Sequence, residues 1–345
     1  MTEPVAPSSA MAREAAEAPA AARRQIARCG AGFAELGTRF RRSPPRFVVT
    51  CARGSSDHAA AYGKYLIETT FGRAVASVGP SIVSVYDVPL ALDGALFVAV
   101  SQSGRSPDIL RLTEAARKGG ALVVGFVNDE SSPLPDLCHV SLPLSAGPET
   151  SVAATKSYIL SCLAFLQLTA HWSNDAALRD AVEAVPDALE AACKLDWWPA
   201  LQTLEQITNL YVIGRGLGLG AALEMALKLK ETSRLHAEAF SAAEVMHGPL
   251  ALVRPGFPIL ALGQNDETAE GTREVVSRLA GMGASVLSAV DVPGTTPLPT
   301  IAGVPSVLAP LCQIQSFYMA VWRLALARGL NPDAPQNLRK VTETV

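Results

Sequence analysis

The sequence predicts an α/β protein built from two tandem copies of one three-layer αβα unit, each a parallel sheet with helices on both faces. Three observations predict it. Apolar runs such as "RFVVTC" (46–51), "ALFVAV" (95–100) and "ALVVGFV" (121–127) are continuous rather than alternating, and helical patterns follow them. Strands buried on both faces and joined by crossover helices read this way. The pattern then restarts at "LYVIGRGLGLG" (210–220). The restart keeps register: Arg53–Gly54 aligns with Arg215–Gly216 and Gln102 with Gln264, an offset of 162 in both places. One offset recurring at two separated places indicates duplication.

Residues 1–45 form an N-terminal tail and helix, disordered to about residue 10 and Ala/Arg-rich over 11–40. The first α/β unit spans 46–172. Its strands fall at 46–51, 74–78, 95–100, 121–127 and 138–144, with helices at 57–71 and 107–118. The apolar stretch "SVAATKSYILSCLAFLQLTAHW" (151–172) closes it as a helix. Residues 173–207 are helical and more polar, a connector. The second unit spans 208–330, with a strand and Gly-rich turn at 210–220 and a helix at 221–235. Strands at 257–263, 284–290 and 304–310 and a helix at 311–328 complete it. A polar tail occupies 331–345.

With 345 residues, 49% of them hydrophobic, the chain can bury one large core or two medium ones. A net charge of −3 provides no basic field for nucleic acid. No apolar run approaches the ~20 residues of a membrane helix. No basic start followed by an apolar block marks a secretion signal. The six cysteines, at 29, 51, 138, 162, 193 and 312, show no CxxC spacing and read as reduced thiols of a cytoplasmic protein. The five histidines are too dispersed to spell a zinc site.

The junction "SQSGRSPD" (101–108) follows a buried strand and opens a helix. In open α/β sheets ligands bind at that carboxyl edge. Ser106 suits the N-cap and Pro107 the first helical turn. The helix start then offers free N–H groups and partial positive charge. Ser101, Ser103 and Ser106 add hydroxyls, Gln102 an amide, and Gly104 close approach of the backbone. Such a loop cradles phosphate without a lysine, although a capped turn with incidental serines has the same pattern. Ser55 and Ser56 of "RGSS" sit at a neighbouring strand end. The equivalent junction of the second copy, "GQNDETAE", has lost the serines.

"RGSS", "SQSG" and the duplicated layout resemble the sugar isomerase (SIS) domain family. "LEMALKLKETSRLHAEAFSAAEVMHGPLAL" (223–252) and "PQNLRKVTETV" (335–345) resemble the isomerase half of the glucosamine-6-phosphate synthases. The resemblance covers about residues 11–345. It implies two tandem SIS domains of flavodoxin-like type. It also implies that Ser56, Ser101, Gln102, Ser103 and Ser106 hold a sugar phosphate, with Val152 of "SVAATKS" beside the sugar. Glu231 would carry a proton between C1 and C2, His247 would open the ring, and Lys340 of the tail would contact the open-chain sugar and form an imine. Lys228 would lie near the same centre, with no metal and no organic cofactor required.

The residues support part of this alone. Glu224, Lys228 and Glu231 fall on one helical face, and "AALEMALKLKE" is apolar enough for a largely buried helix. Burial favours the protonated form of a carboxylate, which suits a proton shuttle; the bland alternative is a surface ion-pair ladder. His247 lies between a helical segment and a Gly-Pro turn, where it can project into a neighbour's crevice. His236 reads as structural, and His58 as solvation of a helix start. The tail has no reason to be ordered unless it docks, and a lysine in a half-dry pocket becomes a usable amine.

The synthases carry a further amidotransferase domain that begins with a nucleophilic cysteine. Here residue 2 is Thr and about 45 residues precede the first strand. Arg105, Ser106 and Ala154 also depart from the synthase pattern. The expectation is therefore an amino-sugar-phosphate deaminase, converting glucosamine 6-phosphate and water to fructose 6-phosphate and ammonia, as a homodimer with shared sites. The alternatives are a galactosamine-6-phosphate deaminase or isomerase, a fructose-amine 6-phosphate deglycase, a glutamine-independent synthase-like enzyme, and a sugar-phosphate sensor. No nucleic-acid or membrane partner is expected.

Overall fold

The computed structural model describes residues 9–340. The helices are α1 (Ala10–Ala16), α2 (Ala18–Arg42), α3 (Ser55–Phe71), α4 (Ser81–Ser84), α5 (Pro107–Lys118), α6 (Leu134–Leu137), α7 (Lys156–Ser173), α8 (Ala176–Ala192), α9 (Trp198–Leu201), α10 (Gly218–Ser233), α11 (Ala242–Val245), α12 (Ala269–Gly281) and α13 (Ala309–Ala327). The strands are β1 (Phe47–Cys51), β2 (Val75–Ser77), β3 (Ala95–Ser101), β4 (Leu122–Val127), β5 (Val140–Pro143), β6 (Asn209–Gly214), β7 (His236–Ser241), β8 (Pro258–Ala261), β9 (Ser285–Ser288) and β10 (Thr296–Pro297).

They form two five-stranded sheets, ordered β2-β1-β3-β4-β5 and β10-β9-β8-β6-β7. Every strand pair is parallel. Read from its other edge, the second sheet repeats the first, β7-β6-β8-β9-β10 against β2-β1-β3-β4-β5. This is the flavodoxin-like order. The helices keep the same register, with α5 starting at Pro107 and α12 at Ala269, again 162 apart.

In the unit of the first sheet (residues 20–149, 156–184 and 339–340), alternate strand residues feed two cores. Val49, Phe97, Ala99 and Val123 pack with Ile109 and Leu112 of α5. On the other face Phe126 meets Phe33 of α2 and Phe165 of α7. α7 is apolar nearly all round and buried along its length, as a helix inside a core must be. A Cβ at Gly63 of α3 would lie 2.4 Å from the Phe165 ring, so glycine permits the close approach of α3 to α7.

In the other unit (residues 9–19, 150–155 and 185–338), Tyr211, Ile213, Ile259 and Val286 pack against Val276 and Leu279 of α12. α10 and α13 pack together along their length.

Several elements differ from expectation. The helix expected over 11–40 breaks at Glu17, because Pro19 has no N–H to donate to the turn before it. The long helix starts at Lys156 rather than 151. The segment 304–310 is not a strand; it runs through turns into α13, and Pro305 and Pro310 explain why. β7 and α12 were not anticipated. Among the described residues, no helix is long and apolar enough to cross a membrane. All six cysteines are free thiols.

Candidate active site

The serine loop lies at the carboxyl end of β3. Ser101 is buried, and its Oγ accepts from the Gly104 N–H at 2.9 Å, folding the loop back on the strand. Gly104 has φ +62°, and a Cβ there would come within 2.0 Å of Ser132 Oγ. Only glycine fits this position. Gln102, Ser103 and Ser106 are half-buried. Ser106 occupies the N-cap of α5 as expected, with Pro107 next, but its hydroxyl makes no capping bond. Ser55 and Ser56 open α3, also half-buried, behind Gly54 in a left-handed turn.

Two ion pairs brace this loop. Arg105 and Asp108 do not pair with each other. Arg105 reaches Asp129 Oδ2 at 2.9 Å and Ser131 Oγ at 3.3 Å. The Ser131 hydroxyl, and then Arg105, hold the Asp129 carboxyl below the usual carboxylate range. Asp108 is buried, accepts from the Ile109 N–H at 2.8 Å and binds Arg53 through Nε at 3.0 Å. Arg53 thereby ties the start of "RGSS" to the helix that follows "SQSG".

In the same unit, Lys340 Nζ lies 3.2 Å from Glu149 Oε2. The Glu149 side chain is fully buried and also accepts from Ser157 N at 3.2 Å and Oγ at 2.6 Å. Sequence reasoning missed Glu149. The sole signal was an acidic residue just before "SVAATKS", and nothing local names its partner.

In the unit of the second sheet, α10 buries Glu224 and Lys228 completely and leaves Glu231 20% exposed. Lys228 Nζ donates to Glu231 Oε2 and lies 3.4 Å from Glu224 Oε1. Tyr318 of α13 donates to the same Glu224 oxygen at 2.9 Å. The expected helical face is thus a buried line, Tyr318–Glu224–Lys228–Glu231, rather than a surface ladder. Burial of these charges is tolerated only because each is partnered, since an unpaired charge there would be strongly destabilising. Glu231 opens onto a cavity of about 530 Å³, lined also by Lys230, Arg234, Asn331, Gln336 and Leu338. Arg234 donates to Gln336, so the tail to residue 338 docks here.

Val152 belongs to this unit. Its N–H donates to the Asp333 carbonyl at 3.1 Å. Neighbouring Thr150 and Ser151 donate to buried Glu14. His247 is exposed at the start of a 3₁₀ turn, Gly248–Leu252. Among the described residues it makes no hydrogen bond or ion pair with Glu231, whose partner is Lys228. His236 starts β7 with its side chain exposed. Residues 341–345 of the tail lie outside the described residues. Among the described residues, no cluster of His, Cys, Asp or Glu is arranged to hold a metal.

Three comparisons bear on this arrangement. The SIS domain pattern matches residues 44–171 and 203–296. The glutamine–fructose-6-phosphate aminotransferase (isomerizing) of Aeropyrum pernix is 34% identical over 307 residues, covering 83% of this chain and 49% of the relative. The chain therefore spans about half the length of the curated relatives it matches. A candidate phosphosugar isomerase from Silicibacter pomeroyi superposes with a TM-score of 0.89 at 41% identity, over 94% of this chain and 100% of that one. The C-terminal domain of the glucosamine-fructose-6-phosphate aminotransferase of Francisella tularensis gives 0.81 at 25% identity, over 97% and 100%. The pattern match, the paired flavodoxin-like sheets and the serine loop agree: this chain belongs to the SIS domain family.

Proposed function

We propose that the protein is an amino-sugar-phosphate deaminase, converting glucosamine 6-phosphate and water to fructose 6-phosphate and ammonia. The observation that carries the reading is the buried Glu224–Lys228–Glu231 line, with Glu231 partly exposed at its open end. A carboxylate held beside a fixed ammonium and facing a cavity suits general acid–base work.

The serine loop would hold the phosphate, using Ser55, Ser56, Ser101, Gln102, Ser103 and Ser106 as neutral donors at a helix start. His247 would pass the proton of the anomeric hydroxyl to the ring oxygen. Glu231 would take the C2 proton of the open-chain amino-aldose and return it to C1 while a proton of the substrate's own ammonium passes to O1, leaving C1 as CH2OH and C2 as an iminium. Water adds to that carbon and ammonia leaves, which balances the reaction. Lys340, fixed by Glu149, and Val152 would orient the open chain. His247 is exposed within its own chain, which supports a homodimer in which it serves the partner's sugar. The six free thiols support a reducing compartment, the cytoplasm.

Ammonia release from glucosamine 6-phosphate, coupled to detection of fructose 6-phosphate, tests this. Absence of both products with folded protein would sink it. The 34% identity to aminotransferases favours a second reading, a synthase-like isomerase acting on fructose 6-phosphate. Aldose–ketose interconversion without ammonia release, across a panel of phosphorylated sugars, would mark that reading instead.

A further inference from the structure

Asp108 lies in the first turn of α5, at the helix start where the serine loop would hold its phosphate, and its side chain is fully buried. An acidic residue suits the dipole at that end of a helix. Beside a bound phosphate the same carboxylate is a like charge, and repulsion is strongest where water is excluded. The loop's own cation does not answer it, because Arg105 is turned to Asp129.

Arg53 answers it from the neighbouring loop. Its Nε and Nη2 both donate to Asp108 Oδ2, the first at 3.0 Å, while Oδ1 accepts the Ile109 N–H at 2.8 Å. The main chain of Arg53 is fixed as well, its carbonyl accepting the Ser56 N–H at 3.2 Å. One residue thus orders the "RGSS" turn through its backbone and holds the α5 carboxylate through its side chain.

The duplicated domain supplies an internal comparison. Arg215 is the duplicate of Arg53 and Glu270 that of Asp108, each 162 residues on. Arg215 keeps its place at the helix start, since a Cβ on Gly271 of α12 would lie 2.8 Å from its Nη1. The carboxylate does not keep its place: Glu270 is 77% exposed and pairs with Arg273. The second copy therefore builds the same sheet and helix without this pair, so the fold does not require it. The copy that kept the serines is the copy that kept a buried carboxylate under its arginine.

We propose that Arg53 is a positioning residue for phosphate, one that cancels the charge of Asp108 and so lets the neutral donors of the serine loop accept a dianion. This role rests on the reading of the serine loop as the phosphate site. Arg53 acts through Asp108, so its effect belongs to binding of the phosphate rather than to the sugar chemistry.

Calorimetry on the full chain tests it, with glucosamine 6-phosphate as the probe and glucosamine as the unphosphorylated control. Arg53→Gln leaves Asp108 uncompensated and should weaken glucosamine 6-phosphate binding about tenfold or more. Asp108→Asn removes the repelling charge together with the pair, and should bind at least as tightly as wild type. The double variant Arg53→Gln/Asp108→Asn should return to within about threefold of wild type, a coupling that only a double-mutant cycle isolates. A brace with no charge role gives the opposite pattern, with both single variants weak and the double variant no better. That pattern would overturn the inference, as would wild-type affinity in a folded Arg53→Gln protein. Should Arg53→Gln fail to fold, Asp108→Asn and the double variant decide by the same criteria. Either contrary pattern, with wild type binding the probe, leaves the phosphate site standing and removes Arg53 from it. A wild-type protein that binds no glucosamine 6-phosphate would overturn the phosphate reading itself, and this role with it.

Discussion

Tyr318 on α13 donates its hydroxyl hydrogen to Glu224 on α10 at 2.9 Å, and Glu224 in turn faces the buried Lys228 ammonium. The tyrosine therefore fixes the closed end of a charge line whose open end is Glu231. Tyr318→Phe removes one donor from a fully buried carboxylate, at a cost of about 1–3 kcal/mol. The expected outcome is a lower Tm and a several-fold lower kcat with KM little changed. An unchanged kcat in a folded variant would show that the line's closed end does not matter to turnover.

Glu231→Gln keeps shape and loses the proton-carrying group. Turnover should fall by about 10²–10⁴-fold, the usual weight of a positioned acid–base group, while phosphosugar binding measured by calorimetry is retained. Near-normal turnover would remove Glu231 from the proposed shuttle.

Gly104→Ala places a Cβ on Ser132 Oγ in a left-handed turn. The backbone strain alone costs about 1–2 kcal/mol. The variant should lose thermal stability and bind phosphosugar about tenfold or more weakly, since 1.4 kcal/mol is a tenfold change. Wild-type affinity would argue that the serine loop does not hold phosphate.

Acid should weaken the fold through two histidines. Desolvation, then Arg117 and Arg39, lower the His139 pKa; desolvation, then Arg179 and Arg41, lower that of His171. His139 Nδ1 also accepts the Val123 N–H at 2.9 Å, a bond that requires an unprotonated nitrogen. The folded chain thus resists protons that the unfolded chain accepts in the ordinary histidine range. Stability is full above that range and falls as pH drops through it. Tm measured from about pH 7.5 to about 5.5 should decline, and the double variant His139→Asn/His171→Gln should show a flatter profile. Equal slopes in both proteins would rule these histidines out.

Mixing His247→Ala with Glu231→Gln subunits tests a shared site. Partial recovery of activity after subunit exchange is expected. None, with exchange verified by native mass spectrometry, would confine His247 to its own chain or remove it from the reaction.

Much of this was legible before any coordinates. The continuous apolar runs at 95–100 and 121–127 became β3 and β4, because strands buried on both faces leave no polar alternation to confuse the reading. β7 was missed for the opposite reason. His236 and Glu238 keep alternate positions exposed, and the short edge strand reads as polar. The apolar run at 304–310 misled because hydrophobicity there serves the seat of α13 rather than a sheet. At the site, "SQSG" and the helical face of Glu224, Lys228 and Glu231 were visible through spacing. Glu149, Tyr318 and the pairing of Arg53 with Asp108 were not, because each joins residues far apart in sequence and no local pattern encodes a distant partner. Within the loop Arg105 and Asp108 have separate partners: burial pairs Asp108 with Arg53, and surface reach pairs Arg105 with Asp129.

Asp333 accepts the N–H groups of Ala10 and Met11 at 2.8 Å, and Gln315 donates to the Ala15 carbonyl at 3.0 Å. This has a consequence for biosynthesis. α1 is synthesised 300 or more residues before the groups that hold it. At ~5–20 residues per second, α1 waits roughly 15–60 s for its seat. The strands of the first sheet and the α7 helix are all synthesised meanwhile. A nascent chain stalled before residue 315 should leave α1 open to protease while the first sheet is already protected.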